Sequence, residues 1–417
     1  MKRFYPVNSL KEVIFSITNR CNLRCRMCDI PLRKEEEIST SCLKSAIKSA
    51  SSLGARTIVF SGGEPLLRED LYELIAFAKA NHMSACLTSN GVMLGQNAAL
   101  ALAESGINVV NISIEGNREI HDSLRGVGNF DKAVKALEYL RESGIEATIA
   151  ATVSRYNYHS LLEVVELARA YKVTTVRFQP FSQIFIDDQS RKTEFFLNQQ
   201  EKQELEKAIR EVIRLTQEYG ISTNPLNYLN RISDYLCGEN IVSGNACSAL
   251  WSSCPINARG DVFPCWVLAD KRHLLGNISE KKLSEIWLSS GHQRIRQGIV
   301  KNGCGGCMMS CYDDVFGQGP WQATLVKKIR RLKAPGLPGR LKDRLIQDLK
   351  SRSADLKEKA KFYCSYRGSI SRIFKRISGI RQREKKLRGF DKEAEIKECF
   401  LEIRLAKEKL KREMGKL

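Results

Sequence analysis

Three cysteines, Cys21, Cys25 and Cys28, stand within eight residues in the stretch ITNRCNLRCRMCDI, spaced C-x3-C-x2-C. A short loop with that spacing can turn three thiolates toward one cube of iron and sulfide, leaving the fourth iron without a protein ligand. An iron left open in this way is a coordination site for a substrate or cofactor. Structural zinc is the bland alternative, but such sites close with four ligands, and neither a histidine nor a fourth cysteine lies nearby. A second group, Cys247, Cys254, Cys265, Cys304, Cys307 and Cys311, lies far downstream. Clustered thiols in a chain of 417 residues point to metal or cluster ligation, not to the dense disulfide framework of a small secreted domain. Cys42, Cys86, Cys237, Cys364 and Cys399 stand alone and are read as small core residues.

The elements that must position the first group are legible as an alternation. Short β-branched runs at 12–18, 57–62, 84–90, 109–116, 146–154 and 174–181 are separated by amphipathic helical patterns such as DLYELIAFAKA, FDKAVKALEYLRESG and HSLLEVVELARAY. Repeated βα units predict an α/β fold with a parallel sheet, rolled into a partial barrel or laid open. The unusual residues fall at the C-terminal ends of these strands: the cysteine loop, then SGGEP, TSNG, ISIEG and RFQP. That edge is where parallel α/β proteins build their sites, because loops converge there and helix N-termini face the ligand. A charged helix near 199–219 closes this part of the chain, and a loop-rich, cysteine-containing segment follows from about 237 to 320.

The loop ITNRCNLRCRMC resembles the signature of the radical S-adenosylmethionine enzymes. The resemblance implies a partial (βα)6 barrel of the TIM type over residues 1–220. It also implies a [4Fe-4S] cluster on Cys21, Cys25 and Cys28 whose open iron chelates the methionine moiety of S-adenosylmethionine. Reductive cleavage then yields a 5′-deoxyadenosyl radical that abstracts hydrogen from a substrate, the cofactor carrying the difficult chemistry while the protein positions and shields it. Gly62-Gly63-Glu64-Pro65 matches the family's GGE motif, in which a strand-end carboxylate and backbone groups hold the methionine ammonium. Ser113 and Glu115, in ISIEG, resemble the ribose-contacting strand end, where Asp is more usual than Glu. Asn90 in TSNG, Arg125 in HDSLRGVGNFDKAV, and Gln179 with Pro180 after the sixth strand complete the expected cofactor contacts. An external reductant such as flavodoxin or ferredoxin is implied as a partner.

CPINARGDVFPC, GNISEKKLSEIW and CGGCMMSC follow in an order that resembles the SPASM or shorter twitch extension of these enzymes. Such extensions carry one or two auxiliary clusters over the region 237–320. With six cysteines in the segment, or seven if Cys237 is recruited, the expectation is one closed auxiliary cluster of the [4Fe-4S] type, held by Cys254, Cys265, Cys304 and Cys307. Cys247 and Cys311 are alternative ligands, Cys247 in place of Cys254, and a zinc ribbon is the competing reading. The resemblance implies an auxiliary centre that either passes an electron to or from a substrate radical or binds substrate, and the net reaction is expected to be redox, on a peptide side chain or a biosynthetic small molecule. About ten residues precede the first strand, too few for a leader-binding domain. That favours a sugar, porphyrin or cell-envelope intermediate.

The formal charge of +20 is concentrated in the tail: residues 321–417 carry 30 Lys and Arg against 12 Asp and Glu. Stretches such as LKDRLIQDLKSRSADLKEKAKF set Leu341, Leu345 and Leu349 on one side of a basic helix. Such a helix suits an anionic membrane surface, an acidic partner or nucleic acid, with the membrane surface slightly preferred because aromatics are sparse. A solvated helical extension on the core is the plain alternative. No run reaches the length of a membrane span and no signal peptide is evident, so a cytoplasmic location is expected, with peripheral membrane contact through the tail. A non-catalytic metal-binding scaffold that tethers partners through the tail is the alternative function.

Overall fold

Among the described residues, nine strands form a single sheet in the order β6-β5-β4-β3-β2-β1-β7-β8-β9. The computed structural model describes residues 10–34, 36–239, 249–302, 304 and 306–309. All of these belong to one compact unit, Tyr5–Gly317. Cys247, Cys311 and the basic tail lie outside the described residues.

The first six strands are β1 Glu12–Thr18, β2 Thr57–Gly62, β3 Ser84–Ser89, β4 Val109–Ser113, β5 Glu146–Val153 and β6 Val176–Pro180. Each pairs in parallel with the next. The helices α1 Thr40–Ser52, α2 Leu71–Ala80, α3 Gln96–Ser105, α4 Arg118–Arg125, α5 Asn129–Glu142, α6 Leu161–Ala170 and α7 Gln199–Glu218 run between and after them. Parallel pairing requires such crossovers. Ile58 and Phe60, Ala85 and Leu87, Val110 and Ile112, and Val176 and Phe178 are buried in the main core, each pair spaced by two along its strand. Those residues face the helices, so the alternate residues must face the other side of the sheet.

That other side is concave. Met309 shares one packed cluster with Cys265 and Ile14 of β1, Val59 of β2 lies against that cluster, and the Gln179 amide of β6 donates to the Met309 sulfur at 3.7 Å. Strands at opposite ends of the six thus reach one packed cluster. Contacts between the loop after β1 and the segment after β6 hold the same curvature, with Asp29 N–H donating to Phe185 O at 2.7 Å and Arg33 paired to Asp187 at 2.7 Å. The sheet does not close, as a partial barrel requires: β7 Ser253–Ile256 adds to the free side of β1 in parallel, and the short strands β8 Asp261–Val262 and β9 Gly276–Asn277 extend it antiparallel. The cysteine-containing segment downstream of α7 therefore enters the same sheet as the βα units.

Candidate active site

The cysteine loop leaves β1 at Thr18 and is fastened from three directions. Gly63 N–H donates to Thr18 O at 2.7 Å and Glu64 N–H to Arg20 O at 2.8 Å, tying it to the end of β2. Arg26 N–H donates to Leu124 O in α4 at 2.8 Å, and Asp29 reaches the segment after β6. The paired glycines follow from this crossing. Gly62 has φ +136°, and a Cβ there would lie 2.3 Å from Thr18 O; a Cβ on Gly63 would lie 2.2 Å from Arg20 O. The close approach inferred from the motif is real, and in this structure the backbone approached is the cysteine loop itself.

Donors surround the sulfurs. Leu23 N–H lies 3.4 Å from Cys21 Sγ, the Asn90 amide 3.8 Å from the same atom, and Arg125 Nη1 3.8 Å from Cys25 Sγ. Burial raises all three thiols above their ordinary range, Cys28 to about 11. Without a metal they are therefore neutral, and loading a cluster must displace their protons. Three thiols on one loop, with N–H groups and a guanidinium directed at them, suit an anionic iron–sulfur cluster.

Glu64 is fully buried. Its carboxylate accepts from Ser89 Oγ at 2.9 Å, Asn90 N–H at 2.8 Å and Leu66 N–H at 3.2 Å. Burial outweighs these donors and raises its pKa. The carboxylate expected to meet a ligand ammonium is thus committed to ordering the end of β3. Asn90, held by that contact, turns its amide to Asn22 Oδ1 at 2.8 Å beside Cys21. Pro65, buried, starts the short turn Pro65–Leu67 that carries the chain away.

Arg125 ends α4, and Glu115 holds it. Arg125 Nε and Nη2 donate to Glu115 Oε1 at 2.7 and 2.5 Å, and Thr152 N–H of β5 donates to Glu115 Oε2 at 2.6 Å. Burial alone lowers the Arg125 pKa, but the Glu115 charge overcomes it and holds the guanidinium firmly protonated. Both Glu115 oxygens are therefore engaged within the protein, which is what the longer side chain permits where Asp is usual. His121 Nδ1 accepts from Glu115 N–H at 3.3 Å, and the Asn157 amide donates to Glu115 O at 2.8 Å. Sequence reasoning missed Asn22, His121, Thr152 and Asn157; the first two lie within quoted stretches but carry no role there, and only the fold brings the four to the site. Ser113 ends β4, in register with Ala150 of β5, and Gln179 of β6 is in register with Thr152. Pro180 is buried at the end of β6.

The downstream cysteines divide. Cys265 is buried against Met309 and Ile14, with Cys307 packed beside it. Cys304 is exposed. Cys254 is in register with Val13, on the helix-facing side of the sheet, and is fully buried in the main core. The expected set of Cys254, Cys265, Cys304 and Cys307 is not assembled: the pleat places Cys254 on the opposite face from Cys265, where burial raises its pKa sharply and Arg296 is the nearby charge. The β8–β9 hairpin that carries Cys265 is tied by Asp261, which accepts from Asn257, Arg259 and Asn277 at 3.1, 2.7 and 2.9 Å.

Two family models match this chain. The radical SAM superfamily model covers residues 15–168, and the SPASM iron–sulfur cluster-binding domain covers residues 247–311, beginning and ending on cysteines. An Fe-coproporphyrin III synthase of Methanosarcina barkeri is 31% identical over 292 residues, which span 66% of this chain and 73% of that protein. The chain belongs to the radical S-adenosylmethionine superfamily. A radical S-adenosylmethionine domain uses a four-iron cluster with S-adenosylmethionine, and the SPASM segment adds auxiliary iron–sulfur; the protein is an enzyme. An AdoMet-dependent heme synthase of Nitratidesulfovibrio vulgaris is 28% identical over 330 residues, 73% of this chain and 88% of the relative. Among solved radical S-adenosylmethionine folds, Streptococcus suis SuiB bound to its precursor peptide SuiA superposes with a TM-score of 0.56 at 19% identity, covering 69% of this chain and 67% of that one. That likeness is one of fold. No helix among the described residues is long and apolar enough to cross a membrane.

Proposed function

We propose that this protein is a redox radical S-adenosylmethionine enzyme acting on a small biosynthetic intermediate of the tetrapyrrole class. The cluster bound by Cys21, Cys25 and Cys28 supplies reductive cleavage of S-adenosylmethionine when loaded with an electron from an external reductant. The chain's own residues do the positioning. Arg125, fixed by Glu115 beside Cys25, receives the cofactor carboxylate, Asn90 lines the loop side of the site, and Ser113 with Gln179 face the nucleoside from β4 and β6. Glu64 acts by holding Ser89 and Asn90 in place, and the backbone of Gly62 and Gly63 frames the loop.

The observation that carries the reading is the buried Glu115–Arg125 pair aimed at a cysteine sulfur, Arg125 Nη1 lying 3.8 Å from Cys25 Sγ. A permanently charged guanidinium in that position suits a carboxylate bound at an adjacent iron. Support for the substrate class comes from the two relatives named for Fe-coproporphyrin III and heme synthesis, each matched over most of its length. Support for the auxiliary centre comes from Cys265 and Cys307 sharing one cluster of packed side chains. Its ligands are Cys265, Cys304 and Cys307, with Cys247 or Cys311 in the place first expected of Cys254.

Anaerobic reconstitution tests this. The wild type should hold about eight iron atoms, two four-iron cubes. After reduction it should form 5′-deoxyadenosine, faster with iron coproporphyrin III present. The double substitution C304A/C307A should halve the iron, retain 5′-deoxyadenosine formation and abolish product by mass spectrometry. Survival of product formation would remove the auxiliary role. Absence of 5′-deoxyadenosine from the loaded wild type would remove the whole reading.

A further inference from the structure

The concave face of the sheet carries a charged side chain with no counter-charge among the described residues. On β6, Val176 and Phe178 are buried in the main core, so strand alternation turns Arg177 and Gln179 to the opposite face, where Gln179 meets Met309. Arg177 is partly exposed there. Three other inward-held arginines are matched by carboxylates, Arg68 with Asp70 at 2.7 Å, Arg125 with Glu115 at 2.5 Å and Arg191 with Asp29 at 2.7 Å, while buried Arg296 lies over the Trp251 and Trp287 rings and donates Nε to Leu250 O at 2.8 Å. Among the described residues, nothing forms a hydrogen bond or ion pair with Arg177. Burial pulls its pKa below the ordinary arginine value, with no acidic group opposing. The side chain stays cationic at any working pH, so a half-buried charge is carried at a cost that no contact among the described residues offsets.

Its location gives that cost a use. Register places Arg177 beside Ala150, and Ala150 beside Ser113, in one row across β6, β5 and β4. Two strand spacings separate Ser113 from Arg177, roughly 10 Å. The residue between them is an alanine, which leaves the row open above the sheet. We propose that Arg177 anchors a carboxylate of the substrate on the concave face, holding the substrate between β6 and the strand end at Ser113. A single guanidinium neutralises one carboxylate and can fork its two oxygens, whereas a phosphate dianion would leave charge uncompensated. The proposal rests on the radical S-adenosylmethionine reading of the neighbouring site.

The test uses the full chain with both clusters loaded, titrated with iron coproporphyrin III and separately with its tetramethyl ester, binding being read from the porphyrin absorbance. The wild type should bind the free acid at least thirty-fold more tightly than the ester, roughly the loss expected when one partner of a buried charged pair is removed. R177Q should lose about that factor for the acid and nothing for the ester, with R177K intermediate. R177Q should also melt no lower than the wild type, because it removes an unneutralised charge, whereas an arginine serving the fold would lose stability. Equal binding of the acid by R177Q and wild type, equal binding of acid and ester by the wild type, binding of neither, or a lowered melting point in R177Q each overturns the proposal. Formation of 5′-deoxyadenosine by the wild type without substrate separates that outcome from failure of the underlying reading.

Discussion

At the scale of single residues, identity and spacing reveal a site only when the chemistry is local. Cys21, Cys25 and Cys28 were legible because three thiols on one short loop admit few uses. Glu64 was legible as a strand-end carboxylate but not in its direction, which depends on Ser89 and Asn90 arriving from the next strand. Cys254 misled for a similar reason: it is close to Cys265 in sequence, yet pleat parity puts it on the far face. Arg177 gave no signal, since an arginine within a strand has meaning only once its face and its lack of a partner are known. The Glu115–Arg125 pair is the residue-scale feature with the clearest energetic consequence. Glu115 is fully buried, so Glu115→Gln strands a guanidinium and should cost about 3 kcal/mol or more in urea unfolding. Arg125→Gln strands the carboxylate at comparable cost. The double substitution should lose clearly less than the sum, because it leaves neither charge uncompensated. Additive losses would show that the two side chains do not depend on each other.

At the scale of elements, the six βα strands were readable because β-branched runs alternate with helical periodicity, and their observed ends fall within two or three residues of expectation. Strands β7 to β9 gave no periodic signal. Two of them contain two residues each, too short for a period, and β7 contains Pro255, which ordinarily argues against an internal strand. Only pairing with β1 reveals β7. The helix α7 shows the opposite case, where local sequence fixes a boundary. Asn198 accepts from Glu201 N–H at 2.9 Å, and the Glu201 side chain accepts from Asn198 N–H at 2.8 Å. This reciprocal cap satisfies two N–H groups that the first turn otherwise leaves open. Asn198→Ala should lower stability by about 1 kcal/mol, seen as a small drop in melting temperature, with iron content unchanged. A loss of iron instead would mean that α7 supports the cluster loop directly.

At the scale of the molecule, stability is tied to pH through two buried imidazoles far apart in sequence. His292 is fully buried; its Nδ1 lies 2.9 Å from Trp287 O, and its Nε2 has no partner among the described residues. Burial, then the charge of Arg296, pushes its pKa down to about 4. His121 is likewise buried, and burial followed by Arg125 pushes it down to about 3. In the unfolded chain both titrate near 6.5. Between pH 6.5 and the native values the unfolded state binds more protons, so stability falls as pH drops through that window. By pH 4 the His292 contribution alone amounts to about 3 kcal/mol. The paired carboxylates Asp29, Asp70 and Asp261 are held below their ordinary range by their donors, against burial. They add to the loss only from about pH 4 downward. The upper part of the acid limb therefore belongs to histidine. Urea midpoints of the iron-free protein, measured from pH 7.5 to 4.5, should decline in the wild type and decline less steeply in His292→Leu, whatever that variant loses at neutral pH. An unchanged slope would show that His292 carries its proton in the native state, and the burial that places it beside Trp287 would then need a counter-charge the fold does not supply.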